Sequence, residues 1–115
     1  MRRGEIYLVD LDPTRGSEAA KRRPAVLVSN DGANATATRL GTGVITVVPV
    51  TSNVERVYPF QVLLPAGQSG LDKDSKAQAE QVRSISVERL GHRVGELAPS
   101  MVDRLDDALR LHLAL

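Results

Sequence analysis

Hydrophobic and polar positions along the chain change period once. Up to residue 97 the apolar positions form short runs or alternate by twos, and from Pro99 they recur three and four apart. Glu5-Ile6-Tyr7-Leu8-Val9-Asp10 mixes alternation with β-favouring side chains and predicts a first strand. Ala25-Val26-Leu27-Val28 is an unbroken apolar run, the pattern of a strand buried on both faces. Val44 to Val50 gives the strongest strand signal, although Pro49 lacks an N–H and must lie at an edge, a bulge or a strand end. That strand stops at Thr51-Ser52-Asn53. Tyr58 to Leu64 and Ala77 to Ile85 predict further strands on either side of a Gly-rich polar segment, Pro65 to Ser75, and Arg93 to Leu97 a short last one. Asn30 to Thr38 reads as a loop carrying a short helix.

Beyond Pro99, the residues Met101, Val102, Leu105, Ala108, Leu109 and His112 share one helical face, while Asp103, Arg104, Asp106, Asp107 and Arg110 take the other. The spacing predicts an amphipathic C-terminal helix with Pro99 in its first turn and Ala98 or Ser100 as the cap, and with His112 packed on the apolar side. Many short strands followed by one long helix imply an α+β, mostly β fold: an antiparallel barrel or sandwich with a helix against it. The 115 residues suffice for one core, so residues 1–115 are read as a single domain.

Composition narrows the chemistry more than the fold. There is no cysteine, which removes disulfides, iron-sulfur clusters and thiol nucleophiles, and only two histidines, His92 and His112. No metal site and no cofactor are expected. No apolar run approaches the ~20 residues that span a bilayer, and Met1-Arg2-Arg3-Gly4-Glu5 carries an acid where a signal peptide would be apolar, so a cytoplasmic protein without membrane contact is expected. The net charge is only +1, yet Lys21-Arg22-Arg23 forms a tight basic cluster. It reads either as a solvated turn or as a contact for phosphates. The three aromatic residues, Tyr7, Tyr58 and Phe60, are too few for a base-stacking platform, so any nucleic acid would be held by charge and hydrogen bonds.

Two strand boundaries carry the candidate side chains. Pro24 biases Arg23 away from the α region and so gives it a consistent direction at the start of an apolar strand. Thr51-Ser52 places two hydroxyls at the end of another. Both pairs also fit bland readings, a surface arginine and a turn-forming dipeptide. Glu18 lies in the polar loop before the basic cluster and could face a substrate or pair with Lys21 or Arg22, a contact worth little.

The segments Arg3 to Leu11, Gly16-Ser17-Glu18, Arg23-Pro24-Ala25-Val26-Leu27-Val28, Val48-Pro49-Val50-Thr51-Ser52 and Ala79-Glu80-Gln81-Val82-Arg83-Ser84-Ile85, in this order, resemble the MazF/PemK family of toxin endoribonucleases. The resemblance implies an SH3-like antiparallel barrel of the CcdB/PemK type and a toxin of a type II toxin-antitoxin pair. It also implies a homodimer that cuts single-stranded RNA at short sequences without a metal and is inhibited by a MazE-type antitoxin. Arg23 matches the family's catalytic arginine, Thr51 its catalytic threonine and Glu18 its loop carboxylate. Ser52, Glu80 and Gln81 match positions near the RNA-binding surface, to which Lys21, Arg22 and Asn53 are added as expected RNA contacts. Glu80 stands where some members have Asp, and Gln78 where they have Arg, so a mechanism built on that pair does not transfer.

Cleavage of RNA without a metal uses the neighbouring 2'-hydroxyl as nucleophile. The enzyme must accept that proton, stabilise the extra charge on phosphorus and let the 5'-oxygen leave, a task histidine usually performs near neutral pH. Neither histidine here matches a family site. Arg23 can grip two phosphate oxygens, Thr51 can donate to the same phosphate, and Glu18 can accept the proton or orient Arg23. A gyrase-binding CcdB-like toxin is the alternative on this fold; such proteins use an aromatic in their C-terminal tail, and this chain ends Leu111-His112-Leu113-Ala114-Leu115. A catalytically inactive homologue that binds RNA or antitoxin is the other.

Overall fold

The computed structural model describes residues 1–115. Its strands are β1 (Glu5–Asp10), β2 (Arg22–Leu27), β3 (Val44–Thr51), β4 (Gln61–Leu64), β5 (Ser75–Gln78), β6 (Arg83–Ser86) and β7 (Leu90–Glu96); its helices are α1 (Asp31–Leu40) and α2 (Pro99–Leu113). All pairings are antiparallel, in the order β4-β5-β3-β2-β1-β7, with β6 also on β3. The sheet curls as a barrel does, but β4 and β7 at its ends do not pair, so it stays open.

Alternation on β2 and β3 separates two cores. Val26, Val48 and Val50 join Leu64, Leu105 and Ala108 under α2, while Ala25, Leu27, Ile45 and Val47 join Ala37 of α1 on the other face. Both faces of these central strands are therefore buried, which is why their apolar runs are unbroken. Asn30 caps α1 by accepting from the Ala33 amide at 2.9 Å, and Gly41 ends it in the left-handed region. Arg3 ties both helices to the sheet: its guanidinium reaches Asp106 of α2 at 2.7 Å and its amide donates to Asp31 of α1 at 2.7 Å.

Several elements differ from the sequence expectation. Only Gln61–Leu64 of the Tyr58 to Leu64 segment is strand. Pro59 cannot donate, and the Gln61 side chain and amide close a turn on Tyr58 at 3.1 and 2.8 Å. The expected Ala77 to Ile85 strand is broken by a single 3-10 turn, Ala79–Gln81. β5 pairs Val50 with Ala77 and β6 pairs Val47 with Arg83, so the five residues 78–82 face only Val48 and Pro49 of β3; Gln78 keeps its pairing with Gln61 of β4, and 79–82 bulge out of the sheet. Pro49 thus lies at a bulge, as its missing N–H requires. β2 begins at Arg22, so Arg22 and Arg23 of the basic cluster belong to a strand and not to a solvated turn. The last strand starts at Leu90. α2 begins at Pro99 behind Ala98, and its His112 is exposed rather than packed in the core, with its ring 6.4 Å from that of Phe60.

Two contacts secure the open edge at β7. Burial pushes the Glu5 carboxyl up, but the hydrogen bond from Arg93 (2.6 Å), that from the Arg2 amide and the N-terminal charge outweigh burial and hold it below the usual carboxylate value. The hydrogen bond to Glu5 in turn raises Arg93. Along the same strand Gly95 touches the segment between β4 and β5. A Cβ at Gly95 would lie 1.9 Å from the Ser69 carbonyl oxygen, and one at Gly70 would lie 2.4 Å from that of Val94.

Candidate active site

α1 covers one face of β3 only along its first half. Over the second half the same face carries polar side chains. The β2–β3 ladder pairs Ala25 with Pro49, and two residues further the same register sets Arg23 beside Thr51. Both lie an even number of residues from the buried residues of the α1 side, Ala25 and Leu27 on β2 and Ile45 and Val47 on β3, so both point to that uncovered face. The loop from Leu11 to Lys21 folds over it, with Leu11 and Ala19 packed at its base.

Two clefts meet here. One, of about 200 Å³, is lined by Ser17, Glu18, Arg23, Thr51, Gln78 and Gln81 among others; the second, of about 380 Å³, holds Lys21, Arg22, Lys73 and Asp72. Arg23 and Thr51 line both, as the ridge between them. Arg23 is half-buried, and its Nε donates to the Ala20 carbonyl at 2.7 Å, which fixes the plane of the guanidinium. Its two terminal nitrogens form no hydrogen bond or ion pair within the chain. The Thr51 hydroxyl accepts from the Asn53 amide at 3.2 Å and keeps its own hydrogen to donate. Glu18 is exposed, takes the Arg15 amide on one oxygen at 2.7 Å and forms no ion pair with Arg23, Lys21 or Arg22.

The remaining sequence candidates divide. Lys21 and Arg22 are exposed in the larger cleft, where Ser52 also lies, and Asn53 lines the smaller one. Gln81 is at the smaller cleft too, but its amide is engaged with the loop: its oxygen accepts from Ala19 at 2.9 Å and its nitrogen donates to Ser17 at 3.0 Å. Glu80 lines neither cleft. One of its oxygens accepts from Gln61 at 2.5 Å, and the other is buried with no partner, as is the Gln78 side-chain oxygen. The sequence reading missed Lys76 and Lys73. The alternation in Ser75-Lys76-Ala77-Gln78 is the signal for the first, since Ala77 in the core turns Lys76 and Gln78 to the site face. The chain offers no group of three His, Asp or Glu side chains placed to hold a metal ion.

A curved antiparallel sheet backed by a terminal helix carries an arginine and a threonine side by side between two clefts, one of them lined by Lys21, Arg22 and Lys73, and this is the frame of a small, mostly β protein with a basic cleft. Residues 2–113 match the family described as PemK-like, MazF-like toxin of type II toxin-antitoxin system, and the chain belongs to that family. It is 67% identical over 115 residues to endoribonuclease MazF9 of Mycobacterium tuberculosis, covering 100% of this chain and 98% of that one. Among solved structures, MazF from Deinococcus radiodurans superposes with a TM-score of 0.82 at 25% identity, covering 100% of this chain and 97% of that one. An endoribonuclease from a mycobacterial species in complex with its cognate antitoxin shares the fold, with a TM-score of 0.78 at 23% identity and coverage of 100% and 96%.

Proposed function

We propose that this toxin endoribonuclease cleaves single-stranded RNA at the Arg23–Thr51 ridge, without a metal. The observation that carries the reading is that Arg23, Thr51 and Glu18, from two strands and a loop, line one cleft. In the reaction the 2'-oxygen attacks phosphorus, its proton passes to Glu18, the bond to the 5'-oxygen breaks and that oxygen takes a proton from water, whose hydroxide recovers the proton held by Glu18. The products are a 2',3'-cyclic phosphate and a 5'-hydroxyl. Arg23 stabilises the charge that develops on the phosphate oxygens, and the Thr51 hydroxyl donates to the same group. Arg23 is oriented by the Ala20 carbonyl and forms no ion pair with Glu18, which supports Glu18 as proton acceptor over a role in orienting Arg23. Lys21, Arg22, Ser52 and Asn53 line the flanking clefts and support contacts to the rest of the strand. Gln81 contributes through the loop it holds, and Glu80 through Gln61.

The test is incubation of purified protein with single-stranded RNA in EDTA, with mapping of the cut sites and their end groups. Cyclic phosphate ends formed in EDTA are expected. Loss of cutting that a divalent ion restores would overturn the mechanism, and a folded protein that never cuts would be the inactive homologue.

The same reading extends to partners. The basic cleft suits a flexible acidic and apolar segment of a small MazE-type antitoxin, which would compete with RNA for Arg23. Exposed Leu111, Leu113 and Leu115 at the end of α2 suit a homodimer contact. The chain has no helix long and apolar enough to cross a membrane, in keeping with a place in the cytoplasm.

A further inference from the structure

Lys76 is the most deeply buried cation of the chain, 8% exposed, and no carboxylate forms an ion pair with it. Its Nζ donates to the Arg56 carbonyl at 2.6 Å, which uses one of three N–H groups. The stem of Lys76 is covered while its end lines open clefts, so two of its N–H groups remain free to take an anion.

Its position names that anion. β3 and β5 pair Thr51 with Lys76, so the two side chains rise from the same face on neighbouring strands. With Arg23 beside Thr51 in the β2–β3 register, the row across the sheet reads Arg23, Thr51, Lys76, a threonine between two basic residues carried on neighbouring strands whose backbones lie about 5 Å from its own. Lys76 also joins two clefts: it lines the one that holds Glu18, Arg23 and Thr51, and a neighbouring one of about 390 Å³ with Asn53, Arg56, Tyr58 and Glu55, whose carboxylate forms no ion pair with it. In the latter Arg56 lies over the Tyr58 ring at 5.7 Å, and that ring stacks on Phe60 at 5.3 Å.

We propose that Lys76 binds the RNA phosphate adjoining the one held by Arg23 and Thr51, and so sets which linkage of the strand lies at the ridge. This rests on the cleavage site proposed above. The ammonium keeps its bond to the Arg56 carbonyl and spends its two other N–H groups on phosphate oxygens. The strand then runs from the Arg23 ridge past Lys76 toward Tyr58. Lys76 is a positioning residue for the reaction, and its effect falls on substrate binding.

The test uses short single-stranded RNAs spanning a mapped cut site, each with one neutral methylphosphonate linkage, and the variants Lys76→Gln and Lys76→Arg. Gln retains an N–H for the Arg56 carbonyl but no charge; Arg retains the charge. In the wild type, neutralising the adjoining linkage should raise KM by roughly tenfold or more, as loss of a charge-assisted hydrogen bond does. Lys76→Gln should show the same rise on unmodified RNA, little further change on the modified one, and a salt dependence of log KM shallower by about 0.7. Lys76→Arg should retain most of the wild-type slope. If Lys76→Gln melts and cuts normally with an unchanged salt slope, or if the losses from variant and methylphosphonate simply multiply at every linkage, the proposal fails and Lys76 only braces the segment before β4. Failure of the underlying site is distinct: Arg23→Ala would then still cut.

Discussion

The Gln81 side-chain oxygen accepts from the Ala19 amide at 2.9 Å, across 62 positions of sequence, while its nitrogen donates to the Ser17 carbonyl at 3.0 Å. One amide thereby splints the loop that carries Glu18 to the turn between β5 and β6. Gln81→Leu should leave the core intact and free this loop. The expected result is a fall in kcat of about tenfold or more with a melting temperature within a few degrees of wild type. Hydrogen exchange should accelerate at residues 17–19, and unchanged protection there would show that the splint is dispensable.

Arg23→Ala should reduce cleavage by roughly 10²- to 10³-fold, the usual loss for a donor to a developing oxyanion, with an unaltered circular dichroism spectrum. Thr51→Ala should lose a similar or smaller factor. Near wild-type cutting by both folded variants would remove the ridge as the reacting centre.

Glu5 predicts how stability responds to acid. Its carboxyl is held below its unfolded value of 4.5, so the stabilisation is fully present above that pH and is lost as pH falls through the lower, folded value. Glu5→Gln should cost about 1–2 kcal/mol near neutrality, discounted because Arg93 is 44% exposed, and the difference from wild type should shrink below about pH 4. Urea titrations at pH 7 and pH 3.5 measure both.

Gly95→Ala should destabilise the fold by about 1–3 kcal/mol or more, because a methyl group there meets the Ser69 backbone and not a flexible side chain. Gly16→Ala, where a Cβ meets nothing within 4 Å, is the control, strained only by its positive φ. A melting temperature for Gly95→Ala equal to that of the control would contradict the close approach.

What the sequence disclosed followed from local pattern. The apolar runs at Ala25 and Val44 mark strands buried twice over, and the period change at Pro99 marks α2, since each is decided within a few residues. The break after Gln78 is hidden because Ala77 to Ile85 has strand-like composition throughout, and only pairing with β3 across the sheet expels 79–82. The exposure of His112 is hidden too, since helical spacing gives a face but not how far the covering sheet extends. Of the candidate site, Arg23, Thr51 and Glu18 can be named from the sequence through a resemblance, and the fold brings the three to one cleft. Lys76 cannot, because its significance lies in its neighbour on another strand.

The three-residue offset between the ladders that β5 and β6 make with β3 links damage to the fold and damage to the reaction. Losing or gaining one residue in the 79–82 turn forces one ladder to slip, and a slip by one would send Lys76 inward and Ala77 out, or turn Ile85 away from its core. Small insertions and deletions in this stretch would therefore abolish toxin and folded protein together. A cell that carries such a gene would escape its poison in one step, without passing through a stable, half-active form.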